Sequence, residues 1–275
     1  MRYIACLVLC FLPVSGFSPT NTTTKTPFYR PPKVHTPSGL ESGGPVVVNA
    51  ASYEPGVSPG TLATVFGQNL SDVSGVVVAA GNPLPRQLAG VSVLVNGIPA
   101  PIFSVAYANG EDQISFQVPF EVATGPNAAE VQVLLHNFQV ADVFTDSFTE
   151  DPGIFMYNGN YAIAVLASNY SLISPDNPAL PGDVIILYAT GLGPVTVDVP
   201  DGYAAPSDPL AYTADPSQVF IDGEACKVYF SGLAPGFVGL YQINLRVPDD
   251  APIGNLDIQI QTPYASSGLA KLPVD

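Results

Sequence analysis

The residues able to do chemistry are few and scattered. The chain has two histidines, His35 and His136, and three cysteines, Cys6, Cys10 and Cys226. A serine or cysteine nucleophile needs an imidazole beside it. His35 falls in a Thr/Pro-rich stretch and His136 ends an alternating run, where a solvated strand end is its expected place. Zinc needs a cluster of histidine and cysteine ligands, and these positions bear no such spacing. No phosphate loop is present, and Gly191-Leu192-Gly193 is too short to stand for a dinucleotide fingerprint.

Glycosidases use two carboxyl groups. Glu111-Asp112, Glu150-Asp151 and Asp249-Asp250 are adjacent pairs, but neighbours on a strand face opposite ways. All three pairs read as solvated turn or strand-end residues. No catalytic residue is assigned, and the chain reads as a non-enzyme. Calcium takes clustered oxygens from loops, and Asp198, Asp201 and Asp208 lie together in "DVPDGYAAPSDP", although the spacing of an EF-hand is lacking. A mobile acidic loop accounts for the same residues. Tyr157, Tyr161, Tyr170, Tyr203 and Tyr212 fall in or near loops, where a ring can stack on a sugar or cap a core. Asn21, Asn69 and Asn169 open N-x-[ST] sequons, candidate glycosylation sites in an exported chain.

The ends of the chain bear on where it works. Residues 1–16 have the form of a secretory signal peptide, with Arg2 before an apolar stretch and Val14-Ser15-Gly16 at the cleavage position. No later segment reaches the roughly 20 apolar residues of a spanning helix. Residues 17–44 read as a disordered Thr/Pro-rich leader or linker. Phe17 followed by an acid-free basic stretch also fits the two-part plastid targeting signal of algae, so a plastid destination stands beside secretion. All 23 acidic residues lie beyond residue 40, with four of the eight basic ones. Such a surface repels nucleic acid and anionic lipid. With the signal removed, Cys226 has no partner for a disulfide.

The elements that would position any site come from a near repeat. Gly 25 and Pro 29 punctuate a chain rich in Val, Ile, Tyr and Phe, a composition for short strands and tight turns. "PGTLATVFGQNL" (59–70) answers to "PGDVIILYATGL" (181–192), "VLVNGIPAPIF" (93–103) to "VFIDGEACKVY" (219–229), and "QISFQVP" (113–119) to "QINLRVP" (242–248). Asn96-Gly97 and Asp222-Gly223 favour tight hairpin turns, whose two central residues need positive φ. Tyr241, Ile243, Leu245 and Val247 alternate with polar residues, as do Ile114, Phe116 and Val118, so each marks a strand buried on one face. Asn109-Gly110 and Ala234-Pro235-Gly236 precede these strands as hairpin hinges. Cys226 falls opposite Ala100, as a small partly buried hydrophobe. About seven short strands over roughly 100 residues per copy is the size of an immunoglobulin-like sandwich.

"VVNAASYEPGVSPGTLATVFGQNL", "PLPRQLAGVSVLVNGIPAPI", "NPALPGDVIILYATGLGPV" and "FSGLAPGFVGLYQINLRVP" resemble the C-terminal domain family of exported proteins of Solibacter and other Acidobacteria. The "PG…VFGQNL" element also resembles the start of an IPT/TIG immunoglobulin-like domain. The resemblance implies an exported tandem β-sandwich and supplies no catalytic residues to carry over. The expected architecture is all-β, with two tandem immunoglobulin-like sandwiches over 45–151 and 152–275. The expected role is a non-catalytic exported module binding a protein or glycan through loops or strand edges. A structural spacer or assembly unit of an envelope or matrix is the alternative, and a polysaccharide-acting enzyme the remotest reading.

Overall fold

The computed structural model describes residues 44–275, and among them there is no helix. The signal peptide, residues 17–43 of the leader, His35 and the sequon at Asn21 lie outside the described residues.

The first sandwich contains β1 (Val46–Asn49), β2 (Leu62–Gly67), β3 (Val76–Val78), β4 (Val91–Val95), β5 (Ile98–Pro99), β6 (Ile102–Ala108), β7 (Glu111–Gln117), β8 (Gly125–Leu135) and β9 (Phe138–Ser147). One sheet runs β1-β2-β7-β6-β3 and the other β5-β4-β8-β9. Period-2 alternation decides which side is buried. Val91, Val93 and Val95 pair with Leu135, Val133 and Val131 and bury the same face. Val65, Ile114 and Phe116 close on them from the other sheet.

The second sandwich contains β10 (Gly153–Ile154), β11 (Met156–Tyr157), β12 (Tyr161–Ala162), β13 (Ala164–Leu166), β14 (Val184–Thr190), β15 (Gln218–Ile221), β16 (Glu224–Ala225), β17 (Lys227–Leu233), β18 (Tyr241–Arg246), β19 (Gly254–Gln261) and β20 (Ala270–Val274). Its sheets run β10-β14-β18-β17, with β13 also on β14, and β11-β12-β20-β19-β15-β16. The matched sequence segments therefore hold equivalent places: β2-β7-β6 corresponds to β14-β18-β17, and β5-β4-β8-β9 to β16-β15-β19-β20. The strand count exceeds the expected seven because short edge pieces flank each common frame.

The turns follow their residues. Asn96-Gly97 and Asp222-Gly223 all have positive φ and close the β4–β5 and β15–β16 hairpins. Asn109-Gly110, both at positive φ, joins β6 to β7 directly. Its counterpart between β17 and β18 is longer, running through Ala234–Leu240, and its apolar residues leave the second sandwich. There Ala234 and Leu240 join Leu62, Phe155, Ile186 and Tyr188 in one apolar cluster shared by both sandwiches.

Polar clasps reinforce that seam. Thr190 Oγ1 accepts from Leu62 N at 3.0 Å and donates to Gly239 O at 3.1 Å. Gln117 Oε1 accepts from Gly202 N at 2.7 Å, while Leu84 N donates to Gly202 O at 2.8 Å. Backbone groups drawn out of water need such partners, and across this seam the two halves supply them to each other.

Candidate functional site

Two hollows lie where the sandwiches meet. One is an apolar cavity of about 150 Å³ between Leu62, Leu84, Phe103, Phe116, Phe237 and Leu240. It continues the shared apolar cluster and offers almost no polar group to orient a ligand. The other is a cleft of about 510 Å³ at the linker between the sandwiches, lined by Thr124, Ser147, Phe148, Thr149, Glu150, Asp151 and Tyr264.

The cleft is built from both halves. β9 ends at Ser147 and β10 starts at Gly153, so residues 148–152 are the linker itself. Phe148 N donates to Val57 O at 2.8 Å, and its ring lies so close over Gly56 that a Cβ there would come within 2.6 Å of it. The ring is thus fixed on one side while 42% of the residue stays exposed. Tyr264 is 70% exposed, in a turn braced by Thr262 N donating to Ala265 O at 2.9 Å.

Between these rings the floor is polar. Glu150 is 3% exposed; its Oε2 accepts from Tyr264 N at 3.2 Å. Ser147 is 2% exposed. Among the described residues, Ser147 Oγ and Glu150 Oε1 are the two buried side-chain polar atoms without a hydrogen-bond partner. Such an unmet buried polar atom costs about 1–3 kcal/mol, and both of these are closed off from solvent behind the cleft wall. Asp151 is anchored by Asn49, whose Nδ2 donates to Asp151 O at 2.7 Å and to Oδ2 at 3.0 Å. Burial holds its carboxyl above the usual value, with the charge of Glu54 adding to this and the Asn49 bond opposing it.

Neither family models nor curated proteins yield a match to the chain. Solved structures do. SGBP-B from a mixed-linkage glucan utilization locus of Bacteroides ovatus, in complex with a mixed-linkage heptasaccharide, shares 13% identity over 81% of this chain and 47% of its own, with a TM-score of 0.31. The surface glycan-binding protein PbSGBP-B from Prevotella bryantii shares 14% identity over 85% of this chain and 43% of its own, with a TM-score of 0.23. The I9–I11 tandem of titin shares 13% identity over 80% and 62%, with a TM-score of 0.21. The chain spans about half the length of the first two. At these values, function has to be argued from the chain's own side chains.

Those expected from the sequence are distributed as follows. Asp201 Oδ1 accepts from Phe120 N at 3.0 Å and so ties the second sandwich to the first; Asp198 and Asp208 are exposed. Among the described residues no three or more His, Cys, Asp or Glu side chains form a group that could hold a metal ion, so the acidic loop does not gather its carboxylates. Asn69 and Asn169 are exposed, and Asn169 Oδ1 accepts from Ser171 N at 2.9 Å. Tyr170, Tyr203 and Tyr212 are exposed, with Tyr212 resting on Phe230 at 5.0 Å. Tyr157 and Tyr161 pair at 5.8 Å, and Tyr157 Oη donates to Ile173 O at 2.7 Å. None of these five lines the cleft.

His136 is exposed, with Nε2 2.9 Å from Asp72 Oδ2. Cys226 is half-buried and unpaired, and burial pushes its thiol up to about 11, far from a reactive thiolate.

Two acid pairs depart from the solvated reading. Asp112 is buried and accepts from Leu70 N at 2.9 Å and Ser71 Oγ at 2.6 Å, organising the loop after β2. Glu150 is buried by the closure of the second sandwich over the linker. Asp249 stays exposed beside Arg246 at 2.5 Å. Of the cleft residues the sequence singles out only Glu150 and Asp151; Phe148 and Tyr264 escape it, because they lie 116 positions apart and neither belongs to a matched segment. The one available signal was polar "TDSFTEDPG" flanking an aromatic at the break in the repeat.

Proposed function

We propose that this protein is a non-catalytic interaction module of the cell exterior that binds glycan in the cleft between its sandwiches. The carrying observation is the pairing of two exposed rings, Phe148 and Tyr264, with a floor of hydroxyl and carboxylate oxygens. A sugar ring presents an apolar C–H face and a girdle of hydroxyls; aromatic faces suit the first, and the exposed Thr124 and Thr149 suit the second. The test is affinity electrophoresis through a panel of soluble polysaccharides. Retardation should appear with at least one glycan and fall about tenfold in Tyr264→Ala and in Phe148→Ala, each stacked ring being worth about 1.4 kcal/mol. No retardation across the panel overturns the reading. Turnover of a retarded glycan, lost in Glu150→Gln, replaces it with an enzyme.

A second reading rests on β9. It is an edge strand of its sheet, and Phe138 (76% exposed), Val140 and Phe144 (60% exposed) stand out from it. An unpaired edge carrying apolar side chains is the arrangement that accepts an added strand from a protein partner. Concentration-dependent assembly abolished by Phe144→Ser, without glycan retention, would place the protein among structural assembly units instead.

A further inference from the structure

We propose that the apolar cavity at the seam is a binding site for a small uncharged hydrocarbon-like molecule, of about the size of benzene or toluene. It is a second site, since the cavity and the linker cleft share no lining residue. The size comes from the volume: about 150 Å³ is the space that takes up benzene in a protein interior lined by Leu, Ile and Phe. The chemistry comes from the walls. No lining residue is charged, and Asn82 and Ser115 alone carry polar side chains. Both are already engaged, Asn82 Oδ1 accepting from Ala204 N at 2.9 Å and Ser115 Oγ paired with Thr64 Oγ1 at 3.2 Å. Water needs about two to four polar partners to be held in such a space, so it competes weakly for this one.

The cavity exists because the seam brings small residues opposite rings. Phe103, Phe116 and Phe237 supply bulk, while Ala50, Ala79 and Ala204 line the same space with only a methyl group each. It lies between two apolar clusters, one with Leu62 and Leu240 and the other with Leu84 and Val238, and Phe103 packs against both. Neither cluster fills it, and close-packed interiors leave few such voids. The exposed members of the lining are Ala80, Gly81, Asn82 and Gly236, which mark the entrance. A Cβ at Gly81 would meet nothing nearer than 3.9 Å and one at Gly236 nothing within 4 Å, so the rim is open. None of the large apolar side chains exposed on the surface belongs to the lining. The apolar area is thus recessed behind a rim of small residues, which suits a molecule that enters whole and gives a protein partner little to rest on. The first sandwich contributes Leu62, Leu84 and Phe116 and the second Phe237, Val238 and Leu240, so a ligand inside touches both and fastens the seam.

The test uses the full chain, with toluene as probe and benzoate, the same ring bearing a charge, as control. Toluene at about ten to a hundred times its dissociation constant should raise the melting temperature by about 3–8 °C, and benzoate should leave it unchanged. Methyl NMR locates the probe without any substitution. Shifts should be confined to the methyls around the cavity, those of Leu62, Leu84, Val238 and Leu240, with Val93 and Ile258 in the two cores unmoved. Ala79→Leu, which adds bulk from the wall, should abolish the thermal shift; if that variant does not fold, the methyl shifts decide. Absence of both the thermal and the methyl shifts overturns the inference, as do methyl shifts centred elsewhere or equal binding of benzoate. Self-association that disappears on adding toluene hands the cavity to a side chain of a second copy and overturns it too. Glycan retardation should be the same with and without toluene; its loss in toluene would overturn the separation of the two sites.

Discussion

β9 and β20 occupy the same place in the two sandwiches, each paired with the long strand before it, yet their outer edges differ. β20 is covered: β12 lies parallel to it through Tyr161 and Lys271, and β11 follows β12. Its residues are buried or half-buried along its length up to the terminal Asp275. Among the described residues, the outer edge of β9 receives only an isolated bridge from Val57 to Ser147 near its end, and six of its ten residues are exposed. The covering pieces are the first short strands of the second sandwich, directly after the linker, and they belong to none of the matched segments. A duplicated frame thus diverges where non-repeated chain is laid upon it.

The hairpin hinges teach the same lesson. Asn109-Gly110 turns the chain with nothing to spare, whereas Ala234–Leu240 carries apolar residues into the seam. Replacing 234–240 with Asn-Gly should leave β17 and β18 paired, since the other copy manages with that turn. It should remove Leu240, Phe237 and Val238 from the interface, at a cost on the order of 5 kcal/mol in coupling between the halves. Calorimetry should then resolve two unfolding transitions in place of one. A single transition at the original temperature would mean that the seam does not couple the sandwiches.

Asn69 and Gly191 match in the repeat, and both have positive φ, 59° and 77°. Their surroundings differ. Asn69 is exposed, while a Cβ on Gly191 would come within 1.9 Å of Asp151 O in the linker. The reciprocal substitutions should therefore be unequal. Gly191→Asn must displace backbone and should cost on the order of 3 kcal/mol, whereas Asn69→Gly should change stability by about 0.5 kcal/mol or less. Urea unfolding measures both. Equal costs would show that the linker yields freely at Asp151.

This asymmetry also marks what could be read from residues alone. The alternation of Tyr241, Ile243, Leu245 and Val247 and the Asn-Gly and Asp-Gly turns are local signals, and period and φ preference are local physics. The two sandwiches were legible for that reason. The seam was not, because Leu62, Tyr188 and Leu240 are ordinary apolar strand and loop residues until three separate segments meet. Asp201 illustrates the cost of judging by composition: an aspartate among aspartates suggests an ion, but its partner, Phe120 N, is a backbone donor 81 positions away. Glu150 went the opposite way, a turn-like acid in sequence that tertiary closure buries.

Asp201 gives the smallest effect and a distinct signature, in pH. Burial holds its carboxyl above the ordinary value of 3.8, the nearby Glu121 carboxylate adds to the rise, and the Phe120 N–H and Arg86 oppose it. In the window just above pH 3.8 the folded chain binds the proton more tightly than the unfolded chain does, so this group's contribution to stability falls as pH rises through the window. Asp201→Asn keeps an oxygen for Phe120 N and removes the titration. Relative to the unsubstituted protein, the variant should therefore gain as pH goes from 4 to 7, by roughly 0.5 kcal/mol, the side chain being exposed enough for solvent to screen it. Melting curves at the two pH values read the difference directly. A gain in the opposite direction would mean that the ionised carboxylate, bound to Phe120 N, stabilises the seam more than its burial opposes it. Asp201 would then belong with Thr190 and Gln117 as a clasp favoured at neutral pH.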